Sequence, residues 1–176
     1  MNSRRIFCYW GLLLGVMLLS GCYHLRLEAT PLDAPRFEVS RPPADVYATV
    51  KYLLARDRYE FEQDDAKERV LLTGFRHFST RAGGLTLPAG GRLYFQRLKI
   101  TVREVEGGSE VTVESADLEI RSSYAYDEGG KVNYFKKRYP YEHYPGMFDL
   151  DVVNRELNSV GRDLETALRT GVRNGQ

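Results

Sequence analysis

Leu150, Val153, Leu157, Val160, Leu164 and Leu168 recur at three- and four-residue steps, and this stripe is the strongest constraint on the fold. The spacing puts all six on one side of a helix of about five turns. An apolar face of that length has to be buried. Asp149 can cap the first turn with its carboxylate, and Gly171 stands just past the end, so the helix is predicted from about Leu150 to Arg169. The expected partner of the stripe is the domain's own sheet. A coiled coil would need three to four sustained heptads, and Gly161 weakens such a seam.

A second helix is predicted from about Pro43 to Arg56. Pro42 and Pro43 suit the entry to a first turn, and Asp45 complements the positive helix end. Val46, Tyr47, Val50, Leu53 and Leu54 then fall on one face.

Strand signals fill the interval between the helices. Tyr59 to Glu62 alternates, Asp64 to Lys67 reads as a turn, and Val70 to Phe78 reads as one strand. Ala82 to Gly91 is a glycine-rich loop, followed by a strand over Arg92 to Glu104. Gly107-Gly108 suits a type I′ hairpin with positive φ at both positions, and residues 110–122 return antiparallel. That turn sets Val102 against Val113, but it leaves Leu98 facing Asp117. One extra residue at Glu114–Ser115 restores Leu98 against Leu118, so a β-bulge is predicted there, with outward pairs Lys99–Asp117 and Arg97–Glu119. A further hairpin is expected around residues 127–130, between Tyr124 and Tyr126 on one side and Tyr134 and Phe135 on the other. Pro140 and Pro145 end regular structure. Helix, meander and helix together imply an α+β domain. Its two layers are a mostly antiparallel sheet and, on one face of it, an N-terminal and a C-terminal helix.

The N-terminus follows a different logic. Arg4 and Arg5 precede an apolar run from Ile6 to Leu19. That run is short of the roughly 20 residues a spanning helix needs and fits the apolar region of a secretory signal. It ends in Leu19-Ser20-Gly21-Cys22. Here the chain resembles bacterial lipoproteins, whose lipobox reads Leu, a small residue, Gly or Ala, then Cys. The resemblance implies diacylglycerol on the Cys22 thiol, cleavage between Gly21 and Cys22, and acylation of the new amine. Two or more acyl chains anchor a protein stably where one does not. Tyr23 in place of an Asp after the cysteine implies the outer membrane, facing the periplasm.

Residues 1–21 are thus expected to be a leader, residues 22–36 a lipidated tether with Pro31 and Pro35, and residues 37–176 one domain. The mature chain would keep 155 of 176 residues, enough for a single core. Losing Arg4 and Arg5 brings 25 basic residues to 23, against 24 acidic ones. Such a balance gives no electrostatic case for nucleic acid. With Cys8 in the leader and Cys22 lipidated, no thiol remains for a disulfide or a thiolate metal site. The order of elements also resembles helix-grip envelope lipoproteins, such as the accessory lipoproteins of the outer-membrane β-barrel assembly machinery.

Catalytic groupings are not evident. His24, His77 and His143 show no ligand spacing, so no metal site is expected. Gly83-Gly84 and Gly90-Gly91 lack the Gly-Lys-Ser/Thr ending of a phosphate loop, and no cofactor is expected. Two features stand out instead. Tyr124, Tyr126, Tyr134, Tyr139, Tyr141 and Tyr144 interleave with Lys136, Lys137 and Arg138, a composition suited to contact surfaces. The alternative is that these tyrosines cover the sheet. Leu85 and Leu87, held between glycine pairs, form an apolar loop tip. The leading reading is a non-enzymatic binding or assembly module with an envelope protein partner, acting through Tyr124, Tyr126, Tyr134, Lys136, Lys137, Tyr139, Tyr141, Leu85 and Leu87. The competing readings are an envelope hydrolase or transferase acting on peptidoglycan or lipid, and a structural subunit of a secretion or transport complex.

Overall fold

Two long strands, β5 (Arg92–Val105) and β6 (Gly108–Ser122), form the spine of the domain. A computed structural model describes residues 32–81, 91–122, 125–126, 132–133 and 138–171. The shorter strands are β1 (Arg36–Val39), β2 (Phe61–Asp65), β3 (Val70–Thr73), β4 (Arg76–Arg81) and β9 (Arg138–Pro140). Together these seven strands make one antiparallel sheet. A separate two-stranded ladder pairs β7 (Ala125–Tyr126) with β8 (Val132–Asn133), as the later hairpin was expected to do. The helices are α1 (Pro43–Arg56) and α2 (Leu150–Thr170).

The fold is α+β, with both helices on one face of the sheet. The side chains facing that way in the spine include Tyr94, Leu98, Ile100, Val102, Val111, Val113, Leu118 and Ile120, all buried. They share one core with Val46, Val50, Leu53 and Leu54 of α1 and Leu150, Val153, Leu157, Leu164 and Leu168 of α2. Burying each such side chain contributes roughly 1.5–3 kcal/mol. The amphipathic faces therefore hold the helices in place far more strongly than intrinsic helix propensity does. Asp149 caps α2 by accepting from the Asp151 backbone N–H at 3.1 Å. Gly171 ends the helix in the left-handed region at φ 67°.

The spine hairpin differs from its predicted register by two residues. Val105 pairs with Gly108, so Glu106 and Gly107 form the turn and Val102 faces Val111. Only Gly107 has positive φ, at 81°. Gly108 is needed for another reason: a Cβ there would lie 2.2 Å from the Val39 carbonyl oxygen of β1. The expected bulge is present, one residue further along. Leu98 faces Ser115 and Arg97 faces Asp117, which leaves Ala116 unpaired. The inward parity of β6 switches there from odd (Val111, Val113) to even (Leu118, Ile120), which is the physical reason a bulge was needed. Of the outward pairs, Lys99 faces Glu114 rather than Asp117, and Arg97 forms ion pairs with Asp117, at 2.9 Å, and with Glu62 of β2 rather than with Glu119.

Two further expectations are corrected. Val70 to Phe78 is not one strand but two, β3 and β4, which pair with successive parts of β5. Thr73 closes the gap between them, its hydroxyl accepting from the Leu98 backbone N–H at 2.9 Å. Asp64 and Asp65 belong to β2 rather than to a turn, because β2 is the outer edge of the sheet, where polar side chains meet solvent. Tyr47 and Lys51 of α1 both donate to the Asp64 carboxylate. These bonds, that from Lys51 first, hold the carboxylate below its usual pKa.

The end of the expected tether is part of the domain. Leu32 packs against the core. The Asp33 backbone N–H donates to Asn154 Oδ1 at 2.9 Å, and Asn158 Nδ2 donates to Asp33 Oδ2 at 2.5 Å. Pro35 accepts from the Val113 N–H at 3.0 Å, and its ring sits where a Cβ on Gly161 would come within 2.8 Å. Gly161 is thus a notch for the incoming chain.

Candidate interaction surfaces

A cleft opens where the end of α1 meets the side of α2, and three local features place its side chains. The first is the end of α1, which closes as a Schellman motif: Tyr59 N–H donates to Leu54 O and Arg58 N–H to Ala55 O. Arg58 takes the left-handed conformation this requires, at φ 63°. The motif brings Tyr59 back over Leu54. Next, the break between β3 and β4 resets the strand so that Arg76 pairs with Gln96, a buried inward residue, and so shares the face that carries the helices. Finally, on α2, Glu156 and Asp163 lie two turns apart beside Val160.

The resulting recess has a volume of about 200 Å³. Leu53, Leu54, Val160, Leu164 and Ala167 supply its apolar lining, while Tyr59, Arg76, Glu156, Ser159 and Asp163 supply polar groups. The Arg76 guanidinium carbon stands 4.1 Å from the centroid of the Tyr59 ring, a cation–π contact worth about 0.5–1 kcal/mol when partly exposed. Burial pushes the Tyr59 hydroxyl above its usual range, against the opposing effect of Arg76. Burial likewise raises the Glu156 carboxyl; Arg76 works against this and Asp163 adds to it. The recess therefore combines an apolar floor, a stacked cation and a carboxyl that resists ionisation, which suits it to hold a small polar group of a partner.

The shift at Glu156 has a consequence for stability. Its folded pKa lies above its ordinary value of 4.5, so between those two values the folded protein binds more protons than the unfolded chain. Stability therefore falls as pH rises through that window. Glu156→Gln removes this loss. The variant is expected to be more stable than the wild type at neutral pH and to show no such gain below the window. Urea midpoints measured across pH check this.

No protein-family model matches the chain, and no curated protein matches it.

Tyr139 and Tyr141 of the expected contact segment turn inward. Tyr139 in β9 pairs with Ile120, and both Tyr139 and Tyr141 are half-buried against the core. Tyr141 meets Phe148 edge-on at 5.2 Å, and Tyr139 meets Tyr144 at 5.3 Å. These two follow the sheet-covering alternative. Of this group Tyr144 is exposed, at 42%. Tyr126 lies in β7 opposite Val132. Gly21, Cys22, Leu85, Leu87, Tyr124, Tyr134, Lys136 and Lys137 lie outside the described residues.

Among the described residues no cluster of His, Cys, Asp and Glu could hold a metal ion, and no helix is long and apolar enough to cross a membrane. Sequence reasoning missed Arg76, Glu156 and Asp163. Glu156 and Asp163 carry a usable signal, since two carboxylates seven residues apart flank the apolar stripe on one side. Arg76 carries none, because its facing depends on the strand break after Thr73.

Proposed function

We propose that this chain is a lipid-anchored module of the cell envelope, non-enzymatic, that binds or assembles with an envelope partner. Leu19-Ser20-Gly21-Cys22, after a basic start and a short apolar run, is the observation that carries the reading. Cys22 bears the lipid, and the product faces the periplasm from the outer membrane. The packed core and the recess between α1 and α2 are consistent with a module that presents a fixed surface to a partner.

Growth with a clickable fatty acid tests the anchor. The wild-type chain is expected to take up label and to sediment with membranes, and Cys22→Ser is expected to lose both. A photo-cross-linker at Asp163, which is exposed at the rim of the recess, tests the binding role in intact cells. A discrete adduct with one envelope protein is the expected result. An unlabelled wild-type chain would remove the anchor, and recovery of the monomer alone would remove the recess as the contact surface.

A further inference from the structure

The side of α2 turned away from the core carries Arg155, Arg162 and Arg169, one at every seventh residue and all exposed. At 1.5 Å per residue the row is about 21 Å long. Arg169 is paired with Glu165 at 2.8 Å. Arg155 and Arg162 have no carboxylate partner among the described residues. Each instead steadies its Nε on a carbonyl of its own helix, Asp151 and Asn158 respectively, at 3.2 Å. The other guanidinium nitrogens of these two residues have no protein acceptor among the described residues. A guanidinium presents several donors in a fixed fork that matches phosphate oxygens.

The chain from the N-terminus enters the domain beside this row. Asp33 is held by Asn154 and Asn158, and Asn158 is the residue whose carbonyl receives Arg162. Only nine residues lie between Cys22 and Leu32, about ten Cα steps that reach at most about 35 Å when fully extended. An anchor at Cys22 therefore leaves the point where the chain enters the domain, beside this row, within about 35 Å of the bilayer.

We propose that the arginine row of α2 docks on the anionic phospholipid headgroups of the membrane that holds the anchor. Docking fixes the domain with α2 toward the lipid; the proposal rests on the reading of Cys22 as the lipidated residue.

The mature lipidated chain is reconstituted into vesicles of phosphatidylethanolamine alone or enriched in phosphatidylglycerol. A fluorophore on Thr166→Cys, an exposed position between Arg162 and Arg169, is read by quenching from headgroup-nitroxide lipid. Vesicle flotation is read on the same samples. The expected result is strong quenching on phosphatidylglycerol-rich vesicles, weakened by added salt. Arg155→Gln with Arg162→Gln should shift the docked-to-undocked ratio by about fivefold per arginine, with flotation unchanged. Equal quenching on both lipids, or in the wild type and the double variant, overturns the docking while leaving the anchor intact. So does quenching that arises only when an acidic envelope protein is added. A chain that floats with neither vesicle removes the anchor and the docking together.

Discussion

Gly108→Ala is expected to destabilise the domain by about 3 kcal/mol, more than Gly107→Ala at the neighbouring turn position. The order is the informative part. Gly107 has positive φ, and nothing lies within 4 Å of where its Cβ would be. Alanine there meets only the backbone penalty of the left-handed region, about 1–2 kcal/mol. At Gly108 the new methyl would sit 2.2 Å from the Val39 carbonyl oxygen and 3.0 Å from Ser40 Cα. Both are backbone atoms, so no side-chain rotation relieves the clash. Either β1 moves off β6 or the hairpin opens, and overpacking of this kind costs about 1–3 kcal/mol, occasionally more. Movement of β1 also disturbs Arg41, whose carbonyl accepts from the Ser109 hydroxyl at 2.7 Å. Urea denaturation of the two variants side by side decides the matter. A larger loss at Gly107 would mean that the positive-φ penalty there outweighs the close approach of β1 to Gly108.

The same two glycines show where sequence reasoning stops. A Gly-Gly pair announces a turn, because glycine alone relieves positive φ. The pair does not say which glycine occupies the turn and which makes room for another strand. The second role depends on β1, a four-residue strand added from far along the chain, next to Pro35 in the expected tether. Local pattern carries information about local geometry; docking of a distant segment adds constraints that leave no periodic trace. The bulge was legible for the opposite reason. Its cause, a change of parity in the inward residues between Val113 and Leu118, is written along one strand. Its position was fixed to within a residue even though the register across the turn was shifted by two.

The candidate surface was less legible than the fold. The tyrosine-rich segment drew attention through composition, yet Tyr139 and Tyr141 serve the core, because aromatic side chains suit a half-buried pleated surface as well as they suit a partner. The recess, by contrast, is assembled from a helix terminus, a strand break and one flank of another helix. Of these, the flank of α2 alone leaves a sequence signal, the spacing of Glu156 and Asp163. Helix α2 unites the themes of the molecule, since its sides are put to different uses. Leu157 and Leu164 face the core, Glu156 and Asp163 the recess, Asn154, Asn158 and Gly161 the incoming chain, and Arg155 and Arg162 solvent.

That division of labour leads to the second large effect. Leu157→Ala is expected to lower stability by about 4 kcal/mol, near the upper part of the range for leucine truncations at fully buried sites. Leu157 is 0% exposed and sits mid-stripe, between Val153 and Leu164 on the core side of α2. The rigid sheet beneath it, ordered by the β5–β6 ladder, allows little collapse into the space left. For a domain of this size the loss corresponds to a fall in melting temperature of roughly 8–16 °C. Val160→Ala, half-buried at the margin of the recess, is expected to lose less than half as much, and Arg155→Gln with Arg162→Gln is expected to stay within about 0.5 kcal/mol of the wild type. A comparable loss in all three would mean that the stripe, the recess and the arginine row are not separable, and that the outer side of α2 is buried against something. The graded outcome instead assigns the apolar stripe to the domain's own sheet and leaves the arginines free for contact outside the fold.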